Sequence, residues 1–249
     1  MISCSNLTRV YGSKRVVDSI SFTLPRGSIC AFLGPNGAGK STTVRMLSGM
    51  LQPSSGTARV AGLDVHAGHD SCSLKRRIGV LPEGLALFDQ LSVEEHLQLC
   101  GPIYGLSRDE TQMRMEQLLR FLDLEEGRYT YVDHCSHGMR KKTALALALL
   151  HNPEVLFLDE PFEGIDPVTA EGIRDLLLTL AERGVTIFFT SHLLAMAERL
   201  ASHCMVIREG RIAWSSRMEE LPATLQEMYF DLVKPRPGEA LLWLGSQAF

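Results

Sequence analysis

The stretch that decides the fold reads SICAFLGPNGAGKST, residues Ser28–Thr42. Its first part, Ile29–Leu33, is a short apolar run that predicts a buried β-strand. The run ends in Gly34–Ser41, which matches the pattern G-x-x-x-x-G-K-[ST] in full, and a helical pattern follows from about Lys40 to Met50. Because a strand before this loop and a helix after it are what the motif requires, the stretch predicts a phosphate-binding loop.

Each residue type in this loop has a physical reason to be there. Glycines let the backbone curve closely, so that successive N–H groups can face phosphate oxygens. The helix that begins near Lys40 adds unpaired N–H groups and the positive end of its dipole. Lys40 supplies a point charge for the β- and γ-phosphates, and the Ser41 hydroxyl can bind Mg²⁺. Kinases, GTPases, helicases and transporters all use such a loop, so it does not decide the function alone.

Composition limits the classes of protein to which the chain can belong. A length of 249 residues with 45% hydrophobic residues fits one large α/β domain, or a domain with a subdomain. A net charge of −4 argues against a strongly basic surface for nucleic acid. The six cysteines are scattered without a C-x-x-C pair, which predicts reduced thiols in the cytosol.

Targeting segments are not visible in the sequence. The first twelve residues, MISCSNLTRVYG, lack the apolar segment of a secretory signal. The longest apolar candidates, Ala144–Leu150 and Val155–Leu158, are separated by His151–Glu154 and are too short for a membrane span. We therefore expect any contact with a membrane to be made through a partner.

The pattern of apolar residues predicts an α/β chain with a helical insertion. Before residue 88 the sequence predicts strands at Ile2–Val10, Val16–Leu24, Ile29–Leu33, Thr57–Val65 and Ile78–Leu81. From about Phe88 to Leu150 apolar residues follow helical spacing without strand signals, which indicates an inserted helical subdomain. This insertion opens with the capping-box pattern Ser92–Glu95, and its last helix is predicted at about Met139–Leu150.

The α/β pattern returns after the insertion. Strands are predicted in VLFLDEP at 155–161, at Val185–Thr190 and in a hairpin formed by Met205–Ile207 and Arg211–Trp214, with helices at Pro167–Arg183 and Leu193–Leu200. A further helix is expected near Met218–Val233, followed by a break at Pro235–Gly238 and an apolar segment, Leu241–Leu244. We expect one α/β domain at residues 1–215, with the helical subdomain at about 88–150, and a C-terminal helical tail at 216–249.

Two adjacent carboxylates end the strand in VLFLDEP. Asp159 comes directly after the apolar run, so the strand can hold it near the phosphate loop, where it can bind Mg²⁺ directly or through water. Glu160 follows, and it can orient and deprotonate an attacking water. Two carboxylates at a strand end are common alone. Their position downstream of a complete phosphate loop favours catalysis of ATP hydrolysis.

Three further polar segments fit the same chemistry. Ser136 and Gly138 open a helix, where a hydroxyl and an N–H group make a second phosphate site. Glu163–Asp166 follows the two carboxylates, and His192 ends the next strand. A single histidine there is more often structural, but in this order it is expected to sense the γ-phosphate.

The order of these motifs resembles that of the ATP-binding cassette (ABC) family over about residues 2–215. The resemblance is nearest to the single-domain ATPase subunits of bacterial ABC-2-type exporters. It implies a P-loop NTPase fold with an N-terminal antiparallel β subdomain, a RecA-like core and an inserted α-helical subdomain. ATP and Mg²⁺ are the implied cofactors.

The resemblance assigns roles to individual residues. In it, Lys40, Glu160 and His192 are catalytic, Asp159 is the Walker B aspartate, and Ser41, Asp159 and Glu83 are metal ligands. Tyr11, which spacing alone would make a half-buried aromatic at a strand end, becomes the ring that stacks on adenine. The nucleotide contacts implied are Tyr11, Gly34, Pro35, Asn36, Gly37, Ala38, Gly39, Lys40, Ser41, Thr42, Ser136, Gly138 and Asp166.

Two segments depart from the family pattern. In the signature, Cys135, His137 and Met139 stand where the family has Leu, Gly and Gln, although Ser136 and Gly138 are kept. Glu83 stands where the family has a glutamine, which places a carboxylate where the usual side chain is neutral.

The resemblance implies a motor subunit on the cytoplasmic face of the cell membrane. ATP would be held between two copies in a head-to-tail homodimer, and a separate transmembrane permease subunit would dock on Gly84–Leu91. Nucleic acid is not an expected partner. The alternatives are a soluble non-transport ABC ATPase, which usually has tandem cassettes or a coiled coil, and a small-molecule kinase, which would not explain Ser136–Gly138.

Overall fold

A computed structural model describes residues 1–68 and 71–233, which form two sheets and a group of helices. The strands are β1 (Ile2–Tyr11), β2 (Lys14–Leu24), β3 (Ile29–Leu33), β4 (Ser55–Val60), β5 (Leu63–Asp64), β6 (Ile78–Leu81), β7 (Val155–Asp159), β8 (Thr186–Ser191), β9 (His203–Arg208) and β10 (Arg211–Arg217). The helices are α1 (Lys40–Leu47), α2 (Ser71–Arg77), α3 (Val93–Ile103), α4 (Arg108–Phe121), α5 (His137–Leu149), α6 (Pro167–Glu182), α7 (Leu194–Leu200) and α8 (Leu225–Leu232).

The two sheets have different character. One is antiparallel, in the order β2-β1-β4-β5, and comes from the N-terminal part of the chain. The other has the order β10-β9-β3-β8-β7-β6, in which β9 to β6 are parallel and β10 is an antiparallel edge. This mixed α/β architecture with an N-terminal antiparallel sheet confirms the predicted fold class.

The parallel sheet is the middle layer of the fold. On one side of it, Phe32, Phe157 and Phe188 pack with the antiparallel sheet and α1, and the rings of Phe32 and Phe188 are 5.1 Å apart. On the other side, Leu33 and Phe189 pack with the helices. Since both faces are covered, β3, β7 and β8 are continuous apolar runs rather than alternating ones.

The parallel register brings the functional strand ends to one edge. Leu33 at the end of β3 pairs with Ser191 of β8, and Thr190 pairs with Asp159 at the end of β7. The residues that follow these strands therefore emerge side by side, at the edge where open α/β sheets bind ligands.

The segment from residue 88 to 150 is helical, as predicted. It contains α3, α4, α5 and a short 3₁₀ turn, and its one β-bridge in the described structure joins Ser92 to Tyr131. The capping box is confirmed: Ser92 Oγ accepts from the Glu95 N–H at 3.2 Å, and the Ser92 N–H donates to Glu95 Oε2 at 2.7 Å. The exact limits of this subdomain stay a prediction.

Two helix boundaries differ by two or three residues from the sequence prediction, and one helix was not predicted. Helix α1 ends at Leu47 rather than Met50, because Gly49 adopts the left-handed conformation that ends helices, and Met50 is exposed. Helix α5 begins at His137 rather than at Met139, because Ser136 caps it from outside. A helix missed from the sequence, α2, ends in the exposed basic run Lys75–Arg77, which suits the negative end of the helix dipole.

The chain after β10 is divided differently from the expectation. A 3₁₀ turn at Met218–Glu220 and the short helix α8 replace the single helix predicted near Met218–Val233. The predicted break at Pro235–Gly238 and the apolar segment Leu241–Leu244 lie outside the described residues, as does the rest of the predicted tail beyond residue 233.

Candidate nucleotide site

The loop after β3 is shaped by glycines that are packed against other strands. A Cβ atom at Gly34 would lie 2.3 Å from the carbonyl oxygen of Ile207, and one at Gly39 would lie 2.7 Å from that of Val16. Gly39, with φ of +110°, is the N-cap of α1 and offers no capping side chain. The first N–H groups of α1 therefore keep their capacity to bind an anion.

Lys40 lies inside the curve of this loop. The residue is 8% exposed, and its Nζ donates to the carbonyl oxygen of Gly34 at 2.8 Å and to that of Pro35 at 3.4 Å. The ammonium group is thus held by carbonyl oxygens of the loop that the motif predicts to wrap a phosphate. The loop fits a polyphosphate ligand.

An open pocket of about 750 Å³ joins this loop to the ends of β7 and β8. It brings together residues that are far apart in the sequence, including most of the predicted site. Its lining residues are Val16, Asn36, Gly37, Gly39, Lys40, Ser41, Thr42, Glu83, Asp159, Glu160, Glu163 and His192.

Thr190 links the carboxylate of Asp159 to the backbone of Glu160 at the end of β7. Its hydroxyl donates to Asp159 Oδ1 at 2.5 Å and accepts from the backbone N–H of Glu160 at 3.0 Å. Asp159 is 4% exposed, and buried polar atoms need partners. Because Thr190 engages Oδ1, the second carboxylate oxygen of Asp159 remains for a ligand in the pocket.

Glu160 is held in a specific orientation by His192. Glu160 Oε2 lies 2.9 Å from His192 Nδ1 and accepts from the backbone N–H of His192 at 3.1 Å. Since a carboxylate only accepts hydrogen bonds, this contact assigns the proton to Nδ1 and leaves Nε2 for a second partner. The Glu160 carboxyl is mostly buried and the His192 ring is half exposed, so the histidine can reach a ligand.

The oxygen donors in the pocket suit Mg²⁺. The Ser41 hydroxyl and the carboxylates of Asp159 and Glu83 line the same pocket. Mg²⁺ prefers one or two carboxylates together with phosphate oxygens and water. Within residues 1–68 and 71–233, no group of three or more His, Cys, Asp or Glu side chains is close enough to form a cage around a metal ion.

Within the loop, Gly34, Pro35 and Ala38 are not among the residues that line the pocket. Four predicted contacts from other segments also lie outside it. Ser136 caps α5, its hydroxyl accepting from the Met139 N–H at 3.2 Å, and Gly138 packs against the carbonyl oxygen of Gly164. Asp166 caps α6 and lies 3.6 Å from Lys142 Nζ. The N–H of Thr169 holds the pKa of Asp166 below its usual value.

Tyr11 is the fourth of these contacts. It ends β1, is 45% exposed, and its ring stacks beneath the guanidinium of Arg9 at 4.6 Å. An exposed ring fits stacking on a base better than it fits the alternative of a buried core aromatic.

Sequence reasoning missed three polar residues at this site. Thr190 was predictable in principle, because a hydroxyl two residues before His192 lies at the same strand end as Asp159. Glu163 was noticed only as part of a loop, yet it lines the pocket. Lys141 lies on α5, and its contact with Glu163 depends on the packing of distant elements, which no local pattern signals.

Comparison with known proteins gives consistent results. The ABC transporter family model matches residues 17–163. Linearmycin resistance ATP-binding protein LnrL of Bacillus subtilis (strain 168) is 36% identical over 85% of this chain and 68% of its own length. Bacitracin transport ATP-binding protein BcrA of Bacillus licheniformis is 35% identical over 95% of this chain and 72% of its own length.

Solved structures show the same fold. An ATP-binding subunit of an ABC transporter superimposes with a TM-score of 0.86 at 30% identity, covering 93% of this chain and 99% of that one. A dimeric ATP-binding cassette in a post-hydrolysis state with ADP and Pi gives a TM-score of 0.83 at 22% identity, covering 89% of this chain and 100% of that one.

Proposed function

The chain belongs to the ABC transporter family as an ATP-binding and ATP-hydrolysing subunit, and we propose that the pocket between Gly34–Thr42 and Glu160 binds ATP together with Mg²⁺. The observation that carries this proposal is that Lys40, Asp159, Glu160 and His192 line one pocket. A loop for phosphates, an oxygen ligand for a metal, a base and a histidine are the parts that phosphoryl transfer to water needs.

Each side chain has a distinct task in this proposal. The loop N–H groups and Lys40 bind the phosphates and orient the terminal one towards β7 and β8. Glu160 Oε1, the oxygen that His192 does not engage, accepts the proton of the attacking water. His192 keeps Glu160 in place through Nδ1 and offers Nε2 to the γ-phosphate.

The metal site is formed by residues that already face the pocket. Ser41 and Asp159 would hold Mg²⁺, with Glu83 as a further carboxylate in the pocket lining. When bound, Mg²⁺ neutralises charge on the phosphates. The buried hydroxyl of Thr190 fixes one oxygen of Asp159, so the other is free to act as the ligand.

A second copy of the chain completes the site in this proposal. Ser136 and Gly138 lie at an exposed helix start outside the pocket of their own chain. In a head-to-tail homodimer, they would face the phosphates bound to the other copy. The dimeric cassette with ADP and Pi, although it shares only the fold, is arranged as a pair.

The proposed docking surface for a separate transmembrane permease is Gly84–Leu91. Leu85 and Leu87 pack against the apolar core that the helices form with one face of the parallel sheet. The Phe88 N–H donates to His96 Nε2 of α3 at 2.9 Å. Phe88 is 63% exposed, and Ile103 on α3 is 64% exposed. Exposed apolar side chains on such a loop and on the neighbouring helix are typical of a protein contact.

This docking would place the chain on the cytoplasmic face of the membrane. In the described part of the chain, no helix combines the length and the apolar character that a membrane crossing requires. The alternative of a non-transport ABC ATPase finds no support in the two relatives, one of which is named for bacitracin transport.

Hydrolysis by the purified chain with and without metal tests this proposal. We expect phosphate release from ATP in the presence of Mg²⁺ and its loss after chelation with EDTA, since the metal balances charge on the phosphates. Lys40→Ala protein, prepared in the same way, controls for contaminating ATPases. Hydrolysis that continues at the same rate in EDTA would contradict the proposed metal site.

A further inference from the structure

Lys141 is a buried cation that none of the motifs accounts for. It lies on α5 and is 4% exposed. Its Nζ donates to the backbone carbonyl of Glu163 at 2.9 Å and lies 3.7 Å from Glu163 Oε2. Burying an ammonium group is costly unless it is paired and hydrogen-bonded, so a position that keeps one calls for an explanation.

The contact joins two segments that serve different parts of the site. Lys141 lies five residues after Ser136, at the start of the helix that carries the signature residues. Glu163 lines the nucleotide pocket, three residues after Glu160. The Glu163 N–H donates to the Glu160 carbonyl oxygen at 3.2 Å, so residues 160–163 form a turn with Glu160 at its start.

This turn holds Glu160 in an unusual backbone conformation. Its φ is +49°, in the left-handed region that residues other than glycine rarely adopt. Such a conformation persists only where the surroundings impose it. From β8 and the residue after it, Thr190 binds the Glu160 N–H and His192 binds its carboxylate. Lys141 holds the other end of the turn, from the helical side.

We propose that Lys141 is a positioning residue that fixes the turn 160–163, and with it Glu160, to the helix bearing Ser136. Helix α5, whose start would contact the nucleotide of the opposite copy, is thereby connected through Lys141 to the catalytic base of its own chain. Movement of this helix on dimer closure would shift Glu160 directly. This inference rests on the proposed role of Glu160 as the base.

The charges around Lys141 agree with this assignment. Burial lowers the pKa of Lys141, and the carboxylates of Glu163, Glu160 and Asp159 act in the opposite direction. The Glu163 carboxylate lies within ion-pair distance, with its Oε2 3.7 Å from Lys141 Nζ. The Glu163 side chain is 56% exposed, so water can solvate its carboxylate when an apolar side chain replaces Lys141, and function and folding can be separated here.

Lys141→Met tests the proposal, with Arg140→Met as a matched control. Arg140 is the neighbouring residue on α5, and it donates to the carbonyl oxygens of Val132 and Asp133, away from the turn. We expect Lys141→Met to lower kcat for ATP hydrolysis by about tenfold to a hundredfold, because misplacement of a catalytic group has effects of this size. KM for ATP should stay within about twofold, since Lys40 and its loop are unchanged.

Two further variants make the result decisive. Lys141→Arg keeps the charge and the donors and should recover most of kcat, whereas a role in packing alone would predict no recovery. Lys141→Gln, which has a shorter side chain, replaces the Met variant if that variant does not fold. A kcat within about twofold of wild type in Lys141→Met, or an equal loss in Arg140→Met, would overturn the proposal.

Glu160→Gln, measured in parallel, distinguishes an error in the proposed base from an error in the role of Lys141. If Glu160→Gln keeps normal turnover, the proposed base is wrong, and the inference about Lys141 fails with it. If Glu160→Gln abolishes turnover while Lys141→Met is normal, the proposed function stands and only the role of Lys141 is wrong.

Discussion

The sequence predicts a phosphate contact at two helix N-termini, and these differ in their capping and in their position relative to the pocket. Helix α1 begins at Gly39 without a side-chain cap, next to Lys40 and inside a pocket with Asp159 and Glu160. Helix α5 begins at Ser136, whose hydroxyl caps the helix itself, and its start is exposed outside that pocket. The start of α1 is therefore arranged to bind a phosphate within one chain. The start of α5 lies outside the pocket, so it can contact a phosphate only when another copy brings one.

This difference separates what one copy can do from what a pair can do. A single copy holds the loop, the proposed metal ligands and the proposed base in one pocket, so it should bind ATP alone. Hydrolysis should depend on the second helix start arriving from another copy. Substitutions on the two sides should therefore affect binding and turnover in different ways.

Removing the base should have the largest effect. We expect Glu160→Gln to bind ATP normally and to lower hydrolysis by about a hundredfold or more, because it removes proton acceptance and keeps the side-chain shape. Phosphate release and nucleotide binding, measured on the same protein, check this. Glu182→Gln, an exposed position at the end of α6, is the control. Near-normal turnover in Glu160→Gln would remove this residue from the mechanism.

Substitutions at the two helix starts should change different quantities, ATP affinity at one and turnover at the other. Ser136→Arg should lower turnover by roughly a hundredfold, because it blocks a phosphate contact from the second copy, while ATP affinity of the single chain stays unchanged. Lys40→Ala should weaken ATP binding itself, since it removes a charge that faces the phosphates. Titration with a fluorescent ATP analogue, together with the ATPase rate, separates the two.

A loss of helix capping must be excluded as the cause in Ser136→Arg. Ser107 caps α4 through the same contact, its hydroxyl accepting from the Glu110 N–H at 3.2 Å. Ser107→Arg therefore removes an equivalent cap at a helix start for which no nucleotide or dimer contact is predicted. If both variants lose the same activity, capping rather than the phosphate contact explains the effect, and the contrast between α1 and α5 disappears.

The smallest effect is expected at Tyr11. If its exposed ring stacks on adenine, Tyr11→Ala should lose about 1 kcal/mol of binding, roughly fivefold in affinity, while kcat is retained. Tyr11→Phe keeps the aromatic face and should bind nearly as well as wild type. Unchanged affinity in Tyr11→Ala would make Tyr11 an ordinary surface aromatic.

The sequence predicts best where local chemistry and context agree. The loop Gly34–Ser41 follows a buried strand, and Asp159 and Glu160 follow another, so the parallel sheet brings them together. The start of α3 was also predictable, because Ser92 and Glu95 satisfy each other within one turn of the helix. In each case the physical cause lies within a few residues of the motif.

Contacts between distant segments were not predictable in the same way. Lys141 reads as one of three basic residues near a helix start, and only the packing of α5 against the turn 160–163 shows that it is buried. The end of α1 was misplaced because Met50 fits the helical spacing, while the left-handed Gly49 ends the helix first. The division of residues 218–233 into a turn and α8, in contrast, had a local signal that was overlooked, because Thr224 and Glu227 form a capping box at the start of α8.

The central claim, that two copies share each ATP, can be tested by sedimentation velocity of Glu160→Gln with saturating Mg²⁺ and ATP. This variant should bind ATP without consuming it, so the account predicts a species of twice the monomer mass that returns to monomer when ATP is removed. Adding Ser136→Arg to the same protein should abolish the dimer while ATP remains bound. A Glu160→Gln protein that stays monomeric at saturating ATP, or a dimer that Ser136→Arg does not disturb, would contradict the claim.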